Sequence, residues 1–138
     1  MTPDEQLQLV RKHYSLNAAQ AWDVAATLLT DDFSITIPPF QPFAGVYQGK
    51  TAFQELIPRV AKSIGVSGIR SIATTVGDGY AVEITEFVFT GYNGPPIRNA
   101  EVIEFRGEQI CQIQPFYSDP DPWIAAANAH RIGRVGSS

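Results

Sequence analysis

A chain of 138 residues with 44% apolar and 17% charged residues has the makeup of one compact domain, able to bury roughly two-thirds of its unfolded surface. Its 10 basic and 14 acidic residues leave a net charge of −4 with no run of one sign, which argues against nucleic acid and anionic membrane as partners. No stretch is long and apolar enough to span a bilayer, no basic-then-apolar leader opens the chain, and the single Cys111 excludes an internal disulfide, so the cytoplasm is the expected compartment.

The first predicted helix covers residues 3–17. Thr2 is a candidate N-cap, Pro3 takes the first helical position, and Glu5 completes the spacing of a capping box. Leu7, Val10 and Tyr14 recur at helical spacing and predict one buried stripe. A second helix is expected over residues 18–29, with Trp22, Ala25, Ala26 and Leu29 inward. Residues 33–37 alternate apolar and polar, the mark of a short strand, and Pro38-Pro39 ends it.

Residues 40–49 are aromatic and turn-rich, so a loop across the mouth of an apolar space is expected. A third helix follows over residues 50–64, with Phe53, Leu56, Ile57, Val60 and Ile64 as its core face. Pro58 predicts a bend or break within it. Beyond Gly65 the pattern is sheet: strands over residues 66–76 and 80–92, joined by the hairpin turn Gly77-Asp78-Gly79, then two long strands joined at Arg106-Gly107-Glu108. A short helix is expected over residues 123–132, and residues 133–138 read as a flexible tail to a single domain of residues 1–132. Helices grouped against one face of an antiparallel meander make an α+β domain, here a curved sheet wrapped around three N-terminal helices. A curled sheet leaves a cone with an open end, a natural small-molecule pocket.

Several segments resemble the NTF2-like superfamily and, within it, SnoaL-like polyketide cyclases and ketosteroid isomerase relatives. The carriers are Val10-Arg11-Lys12-His13-Tyr14, Leu28-Leu29-Thr30-Asp31-Asp32-Phe33, Phe43-Ala44-Gly45-Val46-Tyr47-Gln48-Gly49-Lys50, and the hairpin from Glu104-Phe105-Arg106-Gly107-Glu108-Gln109-Ile110 to Pro115-Phe116-Tyr117-Ser118-Asp119. The resemblance extends to about residue 125 and implies the cone, but only weakly implies a chemistry. Of the isomerase's three functional groups, the helix tyrosine is similar in position to Tyr14. The aspartate base falls on Ile37 and the protonated aspartic acid near Ile103, so steroid isomerisation by that mechanism is not expected.

The resemblance also implies strand parity. With Ile103 facing the cone, Asn99, Glu101 and Phe105 face it too, and Tyr117 shares its face with Ile113, Pro115 and Asp119. On the strand from Tyr80, the implied inward set is Ile84, Glu86, Val88 and Thr90, with Glu83 outward; a one-residue slip reverses this. Glu101 and Glu86 are thus the expected acid–base pair, and Tyr14 the donor to a carbonyl or enolate oxygen. Glu101 could instead pair with Arg98 or Arg70 at a solvated edge, and Glu86 could be an exposed sheet residue. His13 is expected at the surface or an interface, because a helix turns about 100° per residue away from Tyr14.

Substrate contacts are expected from Phe40, Phe43, Tyr47, Asn99, Ile103, Tyr117 and Trp123, and a turn-forming role from Asp119. Neither a metal site nor a cofactor is expected: two distant histidines and one cysteine lack ligand spacing, and no phosphate loop occurs. The expectation is a cofactor-independent isomerase or cyclase acting by proton transfer on a small hydrophobic carbonyl compound. A non-catalytic binder of a small hydrophobic molecule is the rival. An epoxide hydrolase is a third possibility, for which Arg98-Asn99-Ala100-Glu101 offers a displaced version of that branch's Arg and acids. Relatives usually pair through the convex sheet face; with Phe87 and Phe89 on that side, a homodimer is expected.

Overall fold

A computed structural model describes residues 1–136. The elements in order are α1 (Pro3–Ala18), α2 (Trp22–Ala26), β1 (Leu29–Ile37), β2 (Gly45–Gln48), α3 (Ala52–Ile64), β3 (Val66–Gly77), β4 (Tyr80–Phe89), β5 (Ile97–Arg106), β6 (Gln109–Phe116) and α4 (Asp121–Gly136). The strands form one curved α+β sheet in the order β2-β1-β6-β5-β4-β3. β3 to β6 make an antiparallel meander, whereas β1 lies parallel to β6 and carries β2 on its outer edge.

Local chemistry sets the ends of these elements. Thr2 and Glu5 form the capping box that starts α1. Its buried face is Val10, His13 and Asn17, rotated from the expected stripe, so Leu7 and Tyr14 are only half-buried. The predicted second helix shrinks to five residues. Gln20 turns left-handed at φ 58° after α1, and Leu29 is already paired with Ile110 in the sheet. β2 forms where a loop was expected, because residues 45–48 complete the outer ladder against residues 34–37.

α3 runs unbroken through Pro58. Pro58 and Gln54 are both exposed, so water can satisfy the carbonyl left without its helical donor. α4 continues past the expected stop to Gly136, and the last two residues of the expected tail lie outside the described residues. Among the described residues, no helix is long and apolar enough to cross a membrane.

On β4 the parity is the reverse of the expectation. Ala81, Glu83, Thr85, Phe87 and Phe89 are buried toward the helices, while Val82, Ile84, Glu86 and Val88 form the outer face. Phe87 and Phe89 pack their rings on Trp123 of α4 at 4.8 and 5.9 Å. They are core, and give no reason for a dimer. Both faces of this strand carry apolar residues; the aromatic pair goes inward because only there does a partner of matching size exist.

α4 docks on the end of α3. The His130 Nε2 donates to the Lys62 carbonyl at 2.8 Å. Beneath that ring sits Gly65, at φ 67°, where an added Cβ would lie 2.6 Å from His130 Nδ1. Gly65→Ala should therefore cost about 1–3 kcal/mol, from left-handed backbone strain and displacement of α4. Urea denaturation followed by Trp123 fluorescence would measure it, and an unchanged midpoint would show that α4 does not need this contact.

Candidate active site

The cone encloses a cavity of about 740 Å³. That lies within the range of small-molecule sites. Its apolar wall includes Ile35, Phe43, Phe53, Leu56, Phe87 and Trp123. Strand pairing delivers the polar wall: Glu83 on β4 stands directly opposite Glu101 on β5, and Thr85 opposite Asn99. Tyr14 and His13 reach the same cavity from α1, and Tyr117 from the segment after β6.

The two carboxyl groups differ in their partners. Glu83 accepts hydrogen bonds from the hydroxyls of Ser71 and Thr74 on β3. Glu101 faces the Tyr14 hydroxyl, which is buried and not closed into a hydrogen bond of ordinary geometry. Burial pushes the Glu101 carboxyl from the ordinary 4.5 up to about 7; the contact with Tyr14 opposes that and the charge of Glu83 adds to it. Burial, with the charges of Glu101 and Glu83, raises the Tyr14 phenol well above its usual range, so it stays a neutral donor. Burial also raises the Tyr117 hydroxyl, Glu101 adding to it, while interactions with Gln41 and Asn99 oppose. The Thr85 hydroxyl donates to Asn99 Oδ1, fixing that amide.

Glu86 lies outside this site. It sits on the outer sheet face between the guanidinium groups of Arg70 and Arg98, which lower its pKa. The pairing weighed for Glu101 is thus made by Glu86, and Glu83 takes the cavity position. Arg98 faces outward as well, on Glu86, and does not line the cavity.

Phe43, Asn99, Tyr117 and Trp123 line the cavity as expected; Phe40, Tyr47 and Ile103 do not. Phe40 packs behind Tyr117 at 5.1 Å. Tyr47 donates its hydroxyl to the Phe43 carbonyl at 2.7 Å, beneath the Arg59 guanidinium. Ile103 fills the core between Ala81 and Ile113, where the cone has closed. Asp119 accepts from the backbone of Asp121 at 3.0 Å as α4 begins, a turn-forming contact.

His13 is the other correction. It is fully buried rather than superficial, and burial depresses its imidazole to about 4. The signal was its spacing, three after Val10 and four before Asn17. Among the described residues no group of three His, Cys, Asp or Glu side chains could hold a metal ion.

This cone, built on a six-stranded curled sheet with helices inside it, matches solved structures along nearly its whole length. Bal32a, from a soil-derived mobile gene cassette, has a TM-score of 0.77 at 16% identity, covering 91% of this chain and 98% of that one. An NTF2-like protein from Burkholderia xenovorans has a TM-score of 0.74 at 16% identity, with 93% and 99% covered. The fold is NTF2-like. A protein from Xanthomonas campestris, provisionally assigned as a polyketide cyclase, shares it at a TM-score of 0.67 and 18% identity, with 91% and 98% covered. No family model and no curated protein matches the chain.

The displaced ionisations of Glu101 and His13 leave a mark on stability. The folded state takes up a proton on Glu101 near pH 7, which the unfolded chain does only near 4.5, so this group's stabilisation is full below 4.5 and lost as pH rises through 7. His13 acts the other way. The unfolded chain protonates it near 6.5 and the folded protein only near 4, so its contribution is full above 6.5 and lost on acidification toward 4. Each amounts to about 3 kcal/mol, and the two nearly cancel between pH 4.5 and 6.5. Glu101→Gln should make the NTF2-like cone more stable than the parent at pH 7.5 and leave a steady loss of stability toward pH 5. Urea midpoints across that range test this; parallel curves for the two proteins would contradict it.

Proposed function

We propose that this chain is a cofactor-independent isomerase or cyclase acting by proton transfer on a small hydrophobic carbonyl compound, of polyketide- or terpenoid-like type. The observation that carries the reading is Glu101: a buried carboxyl titrating near 7, facing the buried Tyr14 hydroxyl on the wall of a largely apolar cavity. A general base is most effective when its pKa lies near the working pH.

In this reading, the Tyr14 hydroxyl donates to the substrate carbonyl oxygen. The Glu101 carboxylate takes a proton from the adjacent carbon, and the C–H electron pair moves into the enolate stabilised by Tyr14. Glu101 then returns the proton at a different carbon, which is isomerisation. Alternatively the enolate carbon attacks a second carbonyl of the same molecule, and Glu101 protonates the new alkoxide, which is an aldol cyclisation. Glu83, held by Ser71 and Thr74, opposes ionisation of Glu101 and keeps it from becoming a weak base.

Exchange of α-protons for deuterium in planar ketones such as 1-tetralone, followed by proton NMR, tests the chemistry. Glu101→Gln should lower the exchange rate by about 100-fold or more. Tyr14→Phe should lower it by about 10- to 100-fold, and Glu86→Gln should leave it unchanged. The rate should rise with pH and level off above about 7, as the carboxylate form fills. Undiminished exchange in Glu101→Gln would remove the proposal, and ligand binding without exchange in any form would favour the non-catalytic binder.

A homodimer fits the outer face in a different way from that expected. Ile84 pairs with Ala100, and Val82 with Val102, giving an apolar strip. Arg98 and Glu104 occupy the same face of β5 at opposite ends of it. A two-fold axis through the strip would set Arg98 of each copy over Glu104 of the other, a self-complementary arrangement. Val102→Glu should turn a dimer into a monomer in sedimentation at micromolar concentration; a parent protein already monomeric there would rule the pairing out.

A further inference from the structure

The proposed reaction makes no use of His13, although its imidazole is fully buried and belongs to the cavity wall. The ring is fixed edge-on between Phe53, at 4.6 Å, and Tyr14, at 5.0 Å. One turn further along α1, Asn17 Nδ2 lies 2.8 Å from the His13 carbonyl oxygen and 3.1 Å from His13 Nδ1.

These two contacts decide the tautomer. A carbonyl oxygen can only accept, so the Asn17 group beside it is the NH2 and not the amide oxygen. The same NH2 donates its second hydrogen to Nδ1, which must then be the unprotonated nitrogen. The ring hydrogen is left on Nε2. That N–H is buried and has no partner in the protein. Buried donors without partners are rare, and His13 is among the residues that line the cavity, so a bound molecule is the partner the structure leaves for this N–H. The depressed basicity of His13 keeps it neutral at pH 7, so Nε2–H is a hydrogen-bond donor there rather than a cation.

We propose that His13 is a substrate-binding residue whose Nε2–H, oriented by Asn17, donates to a second acceptor oxygen of the ligand, apart from the carbonyl held by Tyr14. The substrate class narrows accordingly to doubly oxygenated compounds: diketones, hydroxyketones or alkoxyketones rather than simple ketones. The inference rests on the reading of the cavity as a ligand site, and Asn17 acts in it as a positioning residue.

The test compares 1-tetralone with its 5-, 6- and 7-methoxy derivatives. His13→Phe should weaken at least one methoxytetralone about fivefold, the value of one ordinary hydrogen bond, while 1-tetralone binds as before. His13→Gln, which restores an N–H at the same reach, should recover that loss. In the parent protein labelled with 15N-histidine, the buried imidazole should show the Nε2–H tautomer at pH 7, with a proton shift that responds to the methoxytetralone and not to 1-tetralone. Equal losses for all four compounds, no loss, or an Nδ1–H tautomer would overturn the inference while leaving Glu101 chemistry standing. If none of the four compounds perturbs either Tyr14 or His13, the cavity reading fails and this inference fails with it.

Discussion

Two carboxyl groups stand directly opposite each other on paired strands, both of them buried. Like charges in that position repel, and the low-polarity surroundings do not screen them. The site resolves the conflict by asymmetry. Glu83 is supplied with two hydroxyl donors from β3, whereas Glu101 faces a single phenol that can donate without becoming charged. One carboxyl is therefore held in place and the other is left close to the point of exchanging its proton. The bulged ladder between β3 and β4 belongs to this arrangement, because the register shift between Ser71 and Ala73 lets both Ser71 and Thr74 face Glu83.

The curl of the cone sets that pair on a cavity wall. β1 returns parallel to β6 rather than extending the meander, and this crossover wraps the helices in the curl of the sheet. α1 and α3 supply the inner wall, and Trp123 of α4 meets Phe87, Phe89 and Tyr117 edge-to-face across the sheet side. Three neighbouring aromatic contacts hold one indole ring, so α4 is a wall of the cavity as much as an end to the chain.

Much of the fold was legible in the sequence, because periodicity, caps and hairpin turns are local signals. The capping box at Thr2, the apolar face of α3 and the Gly77-Asp78-Gly79 turn each stood where expected. The errors share one cause: a local pattern does not say which way an element faces when both faces look alike. β4 carries apolar residues at both parities, so Glu83 and Glu86 exchanged places. A cross-strand argument would have corrected this, since Glu86 lies opposite both Arg70 and Arg98. His13 lies inside rather than at the surface because the buried stripe of α1 is Val10–His13–Asn17, and the turn of about 100° that separates it from Tyr14 does not carry it away from the cavity. The inward parity of Asn99 and Glu101 followed from the resemblance that sets Ile103 toward the cone, and β5 has that parity. Tyr47 was not legible, since its role depends on an edge strand that four residues could not announce.

The polar wall divides by element. The sheet carries the acids, which can give or take a proton, and α1 carries Tyr14, whose hydroxyl faces Glu101, and His13, whose Nε2–H has no partner in the protein; burial keeps both neutral. A protein that merely filled its core would gain by replacing both with hydrocarbon, because an unpaired buried donor costs stability and a buried phenol needs a mate. In the proposed reading a guest accounts for two such donors on consecutive residues of α1, beside a carboxyl that titrates near 7. A ligand with oxygens at both ends of its contact with α1 would satisfy both donors while presenting its acidic carbon to Glu101.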